Sequence, residues 1–232
     1  FYSNTLAIGE GLRAFNPDLH GGWGLPGGMP QTSPEEYKFT LANPSRVGYT
    51  YHMLETEDVN GQSHYFILQM GDMISNGKMI PNSESSAFDP QIQYSAADWL
   101  NNIWAVSSNP NQSDYYKSNG GILNNNGSPI DTNIKPYIQS HTWLTERSGG
   151  SLVSDDYIFT GKVALLSVTE LFKHADKIGK ADYGSGWLRT PTESNGKERF
   201  YILNINNDVW AKVPGSTDVN HMYRPVYYLS ED

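Results

Sequence analysis

The sequence predicts an α+β fold of antiparallel strands, two or three short helices and long loops. Three observations lead there. Alternating segments on either side of Asn60-Gly61 read as a β-hairpin. A strand-to-helix unit with a complete capping signature occupies Lys162 to Gly179. From Gly186 onward, short strand-like segments alternate with Asn-rich turns. A hairpin, then helices, then a meander differs from the alternating βα units of a parallel sheet.

Taken in order, residues 1–45 form a Gly/Pro-rich extension expected to pack on a main domain at 46–232. Gly9 to Gly28 is dense in glycine, with Pro17, Pro26 and nearby Pro30 around Trp23. Such a stretch supports neither a long helix nor a central strand, and Trp23 and Phe15 would be its anchors. A short helix is expected next, with Ser33 as N-cap, Pro34 at the first helical position and Glu36 three residues past the cap.

Arg46 to Leu54 alternates, placing Val47, Tyr49, Tyr51 and Met53 on one face of a strand. Ser63 to Met70 is its hairpin partner, and Asn76-Gly77 marks a further turn. Ser95 opens a helix on which Trp99, Leu100, Ile103 and Trp104 share a face; at helical spacing this stripe reads as core. Residues 107–133 are a long loop rich in Asn, Ser and Gly. A short helix is expected from Ile134 to His141, leading into Trp143.

In the strand-to-helix unit, Val163-Ala164-Leu165-Leu166 is a buried-strand run. Ser167 caps the helix, Glu170 completes the capping box, and Leu166 and Leu171 supply the hydrophobic staple. Leu171, Phe172 and Ala175 form its apolar face, and Gly179 is expected to end it. The remaining strands are Gly186 to Arg189, Arg199 to Asn204, Val209 to Val213 and Tyr223 to Leu229. Asn195-Gly196 and Asn206-Asn207-Asp208 supply turns.

Composition narrows the function. The formal charge of −9, with no local Lys/Arg cluster, argues against nucleic acid and anionic lipid as partners. With no cysteine, the chain has no disulfide, thiolate zinc site or cysteine nucleophile. The longest clear apolar run, Tyr65 to Leu68, is far too short to span a bilayer, so no membrane insertion is expected within the fragment. A start at Phe1 without a leader fits a mature or trimmed piece whose targeting and anchoring parts lie elsewhere. The 15 Tyr and 6 Trp among only 18% charged residues suit a loop-rich recognition surface.

Four segments in order resemble a family of bacterial surface domains with a C-type-lectin-like fold, related to formylglycine-generating-enzyme-like proteins. They are Asp98-Trp99-Leu100-Asn101-Asn102, Val163 to Glu170, Gly186-Trp187-Leu188-Arg189-Thr190-Pro191, and Tyr223-Arg224-Pro225 through Leu229. The likeness covers about residues 46–232. It implies an extracellular, cell-surface or wall-attached module of an adhesin or pilus-associated protein. It implies no catalysis, because the related enzymes depend on cysteines that this chain lacks. The calcium-binding lectin tripeptides Glu-Pro-Asn and Gln-Pro-Asp are missing too, and Asn207-Asp208 stands before Val209-Trp210 instead of following a Trp.

In that fold the exposed ligand face lies between Trp187 and Arg224. There Asn204, Asn206, Asn207, Asp208, Trp210, His221 and Tyr223 offer amide hydrogen bonds and aromatic stacking for a host or bacterial surface glycan or protein. The plainer reading of Asn206-Asn207-Asp208 is a tight turn. Trp99, Ser167, Glu170, Trp187, Arg189 and Arg224 are expected to define the fold, with each Arg buried against a carboxylate or backbone carbonyls.

No catalytic constellation is legible. The six His are scattered, and His174 reads as a surface residue. No cofactor is expected. Calcium is the one ion that Asp155-Asp156 or the Asn111 to Asp114 stretch would suit, yet neither has EF-hand spacing, and solvated loops are the plainer reading. The expected function is therefore a surface-displayed binding module, with two alternatives: an assembly subunit using residues 1–45 as a docking arm, and a glycan-acting enzyme for which no carboxylate pair stands out.

Overall fold

A computed structural model describes residues 23–24, 29–41, 50–70, 96–101, 130, 133–144, 158–184, 186–194, 197–203, 208–212 and 224–230. Every strand pairing among them is antiparallel, and helical residues are few, so the fold is mainly β or α+β.

The larger sheet has the order β2-β3-β4-β12-β5, with β8 also pairing β12. Its strands are β2 (Lys38–Phe39), β3 (Thr50–Val59), β4 (Gln62–Met70), β5 (Ile138–Gln139), β8 (Ala164–Leu165) and β12 (Pro225–Ser230). The hairpin between β3 and β4 turns at Asn60 and Gly61, whose φ angles of 56° and 83° are the left-handed pair this connection needs. Asp58 tightens it by accepting the Gly61 N–H at 2.8 Å. Both residues at the sequence-predicted turn therefore adopt the positive φ expected of them.

The predicted single face of β3 is divided in burial. Tyr51 is fully buried beneath Phe39, the two rings stacked 5.3 Å apart, while Met53 on the same side lies open. The register slips between Met53 and Glu55, leaving Leu54 as an extra, buried residue. A bulge releases a carbonyl from the ladder, and the Lys177 ammonium takes that of Leu54 at 2.6 Å. Lys177 also lies over the Tyr37 ring, and its own carbonyl meets His52 Nδ1 at 3.2 Å.

The second sheet has the order β1-β11-β10-β9, formed by β1 (Trp23–Gly24), β9 (Gly186–Ser194), β10 (Lys197–Leu203) and β11 (Asp208–Lys212). Lys197 faces Ser194 across the position of the predicted Asn195-Gly196 turn, which itself lies outside the described residues. A third pair joins β6 (His141–Leu144) to β7 (Ile158–Gly161). Thus β1 and β2, from within residues 1–45, sit at the edges of the two sheets.

The helices are α1 (Ala96–Asn101), α2 (Val168–Lys173) and α3 (Lys180–Tyr183). The capping box on α2 forms in both directions: Ser167 Oγ accepts the Glu170 N–H at 3.1 Å, and a Glu170 oxygen accepts the Ser167 N–H at 3.0 Å. Gly179 does not end this helix. It has φ −78° and serves as the N-cap of α3, while α2 stops at His174. Glycine is required at 179 for proximity, since a Cβ there would lie 2.3 Å from the Ser33 nitrogen.

Two predicted helices are corrected. Around Ser33 only a 3₁₀ turn forms, Glu35–Tyr37, with Pro34 at its cap and no side-chain capping bond; Ser33 is buried instead. Ile134 to His141 holds another 3₁₀ turn, Lys135–Tyr137, before the chain extends into β5 and β6. Both turns contain or follow proline and run into a strand that the sheet claims, so pairing overrides local propensity. The predicted turn at Asn76-Gly77, Ile103, Trp104, both calcium-candidate stretches and all of the 107–133 loop except Ile130 and Asn133 lie outside the described residues.

Candidate functional site

The anticipated ligand face is only partly described. Asn204, Asn206, Asn207, His221 and Tyr223 lie outside the described residues. Asp208 and Trp210 fall on β11, at register positions opposite Gly24 and Ile202. Asp208 therefore starts a strand, where a turn residue had been expected.

The fold-defining residues are well described, apart from the Trp99 side chain. Trp187 is fully buried, and Arg189 lies buried beside it in sequence. The Arg189 guanidinium donates to both Glu170 oxygens, at 2.5 and 2.6 Å, and to the carbonyls of Leu165 at 2.5 Å and Leu144 at 3.0 Å. It also lies 5.3 Å from the Trp143 ring centre. Arg224 donates to the Tyr183 carbonyl at 3.1 Å. Both arginines are buried, Arg189 on a carboxylate and two carbonyls and Arg224 on one carbonyl.

Asn101 carries the work in the helix motif that contains Trp99. Its oxygen accepts the N–H groups of Lys162 and Val163 at 2.7 and 2.9 Å, while its amide donates to the carbonyls of Ala97 and Val163, both at 2.8 Å. One side chain thus ties α1 to the entrance of β8. Gly161 makes room for it, since a Cβ there would lie 2.8 Å from Asn101 Oδ1.

Between the β3–β4 hairpin, β6 and α2 lies a recess of about 420 Å³ that the sequence did not reveal. Its inner wall is aromatic. Tyr228 stacks on Phe66 at 4.8 Å and on His141 at 4.0 Å, and Trp143 meets His141 edge-on at 4.9 Å. The Trp143 indole N–H donates to the Gly161 carbonyl at 2.9 Å, fixing the ring. Polar walls come from Glu55 and Glu57 of β3, Thr142 of β6, and Thr169, Glu170, Lys173 and His174 from α2.

His174, expected on the surface, is only 3% exposed. As the C-cap of α2 it turns inward, its ring edge-on to Phe66 at 6.0 Å. Burial, aided by Lys173, lowers its pKa to about 4, so the imidazole is neutral at physiological pH. Its Nε2 lies 3.4 Å from a Glu55 oxygen but makes no hydrogen bond. Burial also lowers the His141 pKa. Lys173 holds Glu55 at 2.6 Å, as Arg189 holds Glu170. Glu57 has no ion pair among the described residues.

On the opposite face of the larger sheet is an apolar trough of about 570 Å³, floored by Met53, Ile67 and Leu229 and rimmed by Tyr37 and Tyr137. Among the described residues, no group of three or more His, Asp or Glu is placed to hold a metal ion, and no helix is long and apolar enough to cross a membrane.

The residues missed by sequence reasoning share a reason. Glu55 and Glu57 fall between the two predicted hairpin strands, where no site residue is expected, and His141 is assigned to a helix. Only the four-residue spacing of Glu170 and His174 hinted that both face one way from the same helix. No protein-family model matches the chain, and comparison with curated proteins and with solved structures returns no match.

Proposed function

We propose that the chain is a non-catalytic, extracellular binding module with a C-type-lectin-like arrangement, displayed on a bacterial surface as part of an adhesin or pilus-associated protein. It recognises a surface glycan or protein through the segment around β11, from Asn204 to Tyr223. The observation that carries this reading is the anchoring of β9. Between Pro191 and Trp187, three residues of β9 face a single residue of β10, so Leu188 to Thr190 leave that ladder. They bond inward instead: Arg189 N–H to the Leu166 carbonyl at 2.9 Å, and Thr190 Oγ1 to the Val168 N–H at 2.9 Å. A sheet rooted in this way gives β11, two strands along from β9, a rigid base, which is what a recognition surface needs.

The test is a glycan array probed with and without calcium, followed by Asp208→Ala and Trp210→Ala. Binding that disappears in both variants while melting temperature is retained supports the β11 segment. Unchanged binding in both would remove it from consideration.

A second reading, an assembly subunit, is favoured by the apolar trough, where Met53 and Tyr137 are exposed. Sedimentation should then show self-association that Met53→Lys abolishes. A monomer at every concentration would exclude that reading.

A further inference from the structure

The recess between β3, β6 and α2 is a feature that neither the β11 segment nor the fold requires. Its volume of about 420 Å³ falls within the usual range for a small-ligand site. An empty polar recess needs only water, but two groups here point to something more. His174 Nε2 is buried in its wall with no hydrogen-bond partner. Such an orphan is costly to bury unless another state of the molecule satisfies it. Glu57 contributes a carboxylate without an ion pair among the described residues, whereas Glu55 and Glu170 are each matched by a cation.

The charges select the ligand. Lys173 and Arg189, the cations lining the recess, are already bound to carboxylates, so an anionic ligand would find no unused positive charge and three carboxylates. The lack of any three-residue ligand group among the described residues removes a metal ion. A protonated amine suits Glu57. Hydroxyl groups suit Glu55, Thr142 and the His174 nitrogen, which a ligand hydroxyl reaches when Glu55, half-exposed and long, changes rotamer. The His141–Tyr228 stack offers an aromatic surface for C–H groups.

We infer that this recess is a second binding site, independent of the β11 segment, for a hydroxylated ring bearing a protonated amine, that is, an unacetylated amino sugar.

Calorimetric titration of the 232-residue chain at about pH 6, where a primary amine is protonated, tests this. Glucosamine should bind saturably. Glucose and N-acetylglucosamine, which lack the charge, should bind roughly tenfold more weakly or worse. Glu57→Gln sits on an exposed strand position, should leave the melting temperature unchanged, and should reduce glucosamine to the affinity of glucose. Asp208→Ala should leave glucosamine binding intact, so failure of the β11 reading and failure of this one are separately visible. Absence of saturable glucosamine binding, equal affinity in Glu57→Gln, or loss in Asp208→Ala would each overturn the assignment. So would cyclohexylamine binding as tightly as glucosamine, because the amine alone would then be the determinant.

Discussion

Arg189 illustrates how much a single side chain organises. It reaches across from β9 to the α2 capping glutamate, to β8 and to the end of β6, and it covers the Trp143 ring. Removing one partner of such a buried pair leaves the other charge uncompensated, at a cost of about 3–5 kcal/mol. Arg189→Met should therefore lower the urea midpoint severely. Arg189→Lys should recover only part of the loss, because one ammonium cannot serve both carboxylate oxygens and two carbonyls. Asn101→Ala should cost about 2–3 kcal/mol by orphaning the Lys162 and Val163 amides, again read from urea unfolding. His174 gives a pH signature. Its folded pKa of about 4 lies below the unfolded value of 6.5, so below pH 6.5 the unfolded chain takes a proton that the folded chain refuses. Stability contributed at this residue is complete above pH 6.5 and declines toward pH 4, by about 3 kcal/mol in all. Unfolding free energies at neutral and acidic pH should accordingly converge in His174→Gln relative to the parent chain.

At the scale of elements, two glycines separate conformational need from steric need. Gly61 has φ 83° with open space around its Cβ position, so Gly61→Ala should cost only about 1–2 kcal/mol, from backbone strain. Gly179 has an ordinary φ but abuts the backbone of Thr32 and Ser33. Gly179→Ala should be worse, since those backbones must separate, and the same unfolding experiment ranks the two. The contrast also marks the limit of reading sequence here. Asn60-Gly61 was legible because turn chemistry is local. The role of Gly179 was misread as a helix stop because its neighbour is about 146 residues away along the chain. Likewise the Ser167–Glu170 box was legible from a four-residue window, but the turns at Glu35–Tyr37 and Lys135–Tyr137 were not, since each gives way to a strand whose partner lies beyond so short a window.

Across the whole molecule, the C-terminal strand β12 lies inside the larger sheet, next to β4 and against β5 and β8. Segments from the beginning, middle and end of the chain thus converge on one strand. That convergence builds the recess: Glu55 and Glu57, His141 and Trp143, His174, and Tyr228 come from four distant segments. It also predicts cooperative loss, so a truncation that removes residues 225–232 should abolish near-ultraviolet circular dichroism from the whole chain, and a surviving signal would contradict this arrangement.

The sequence by itself determined the mixed order of strands and helices, the β3–β4 hairpin and the capped α2 helix. Each of these follows from local spacing or turn preference. Only the tertiary structure decided that His174 is buried, that Leu54 bulges to meet Lys177, that Gly179 begins a helix, and that an acid-lined recess exists. Those features depend on which remote segments pair, and strand pairing is set by the summed burial of both faces, which no short window of residues contains.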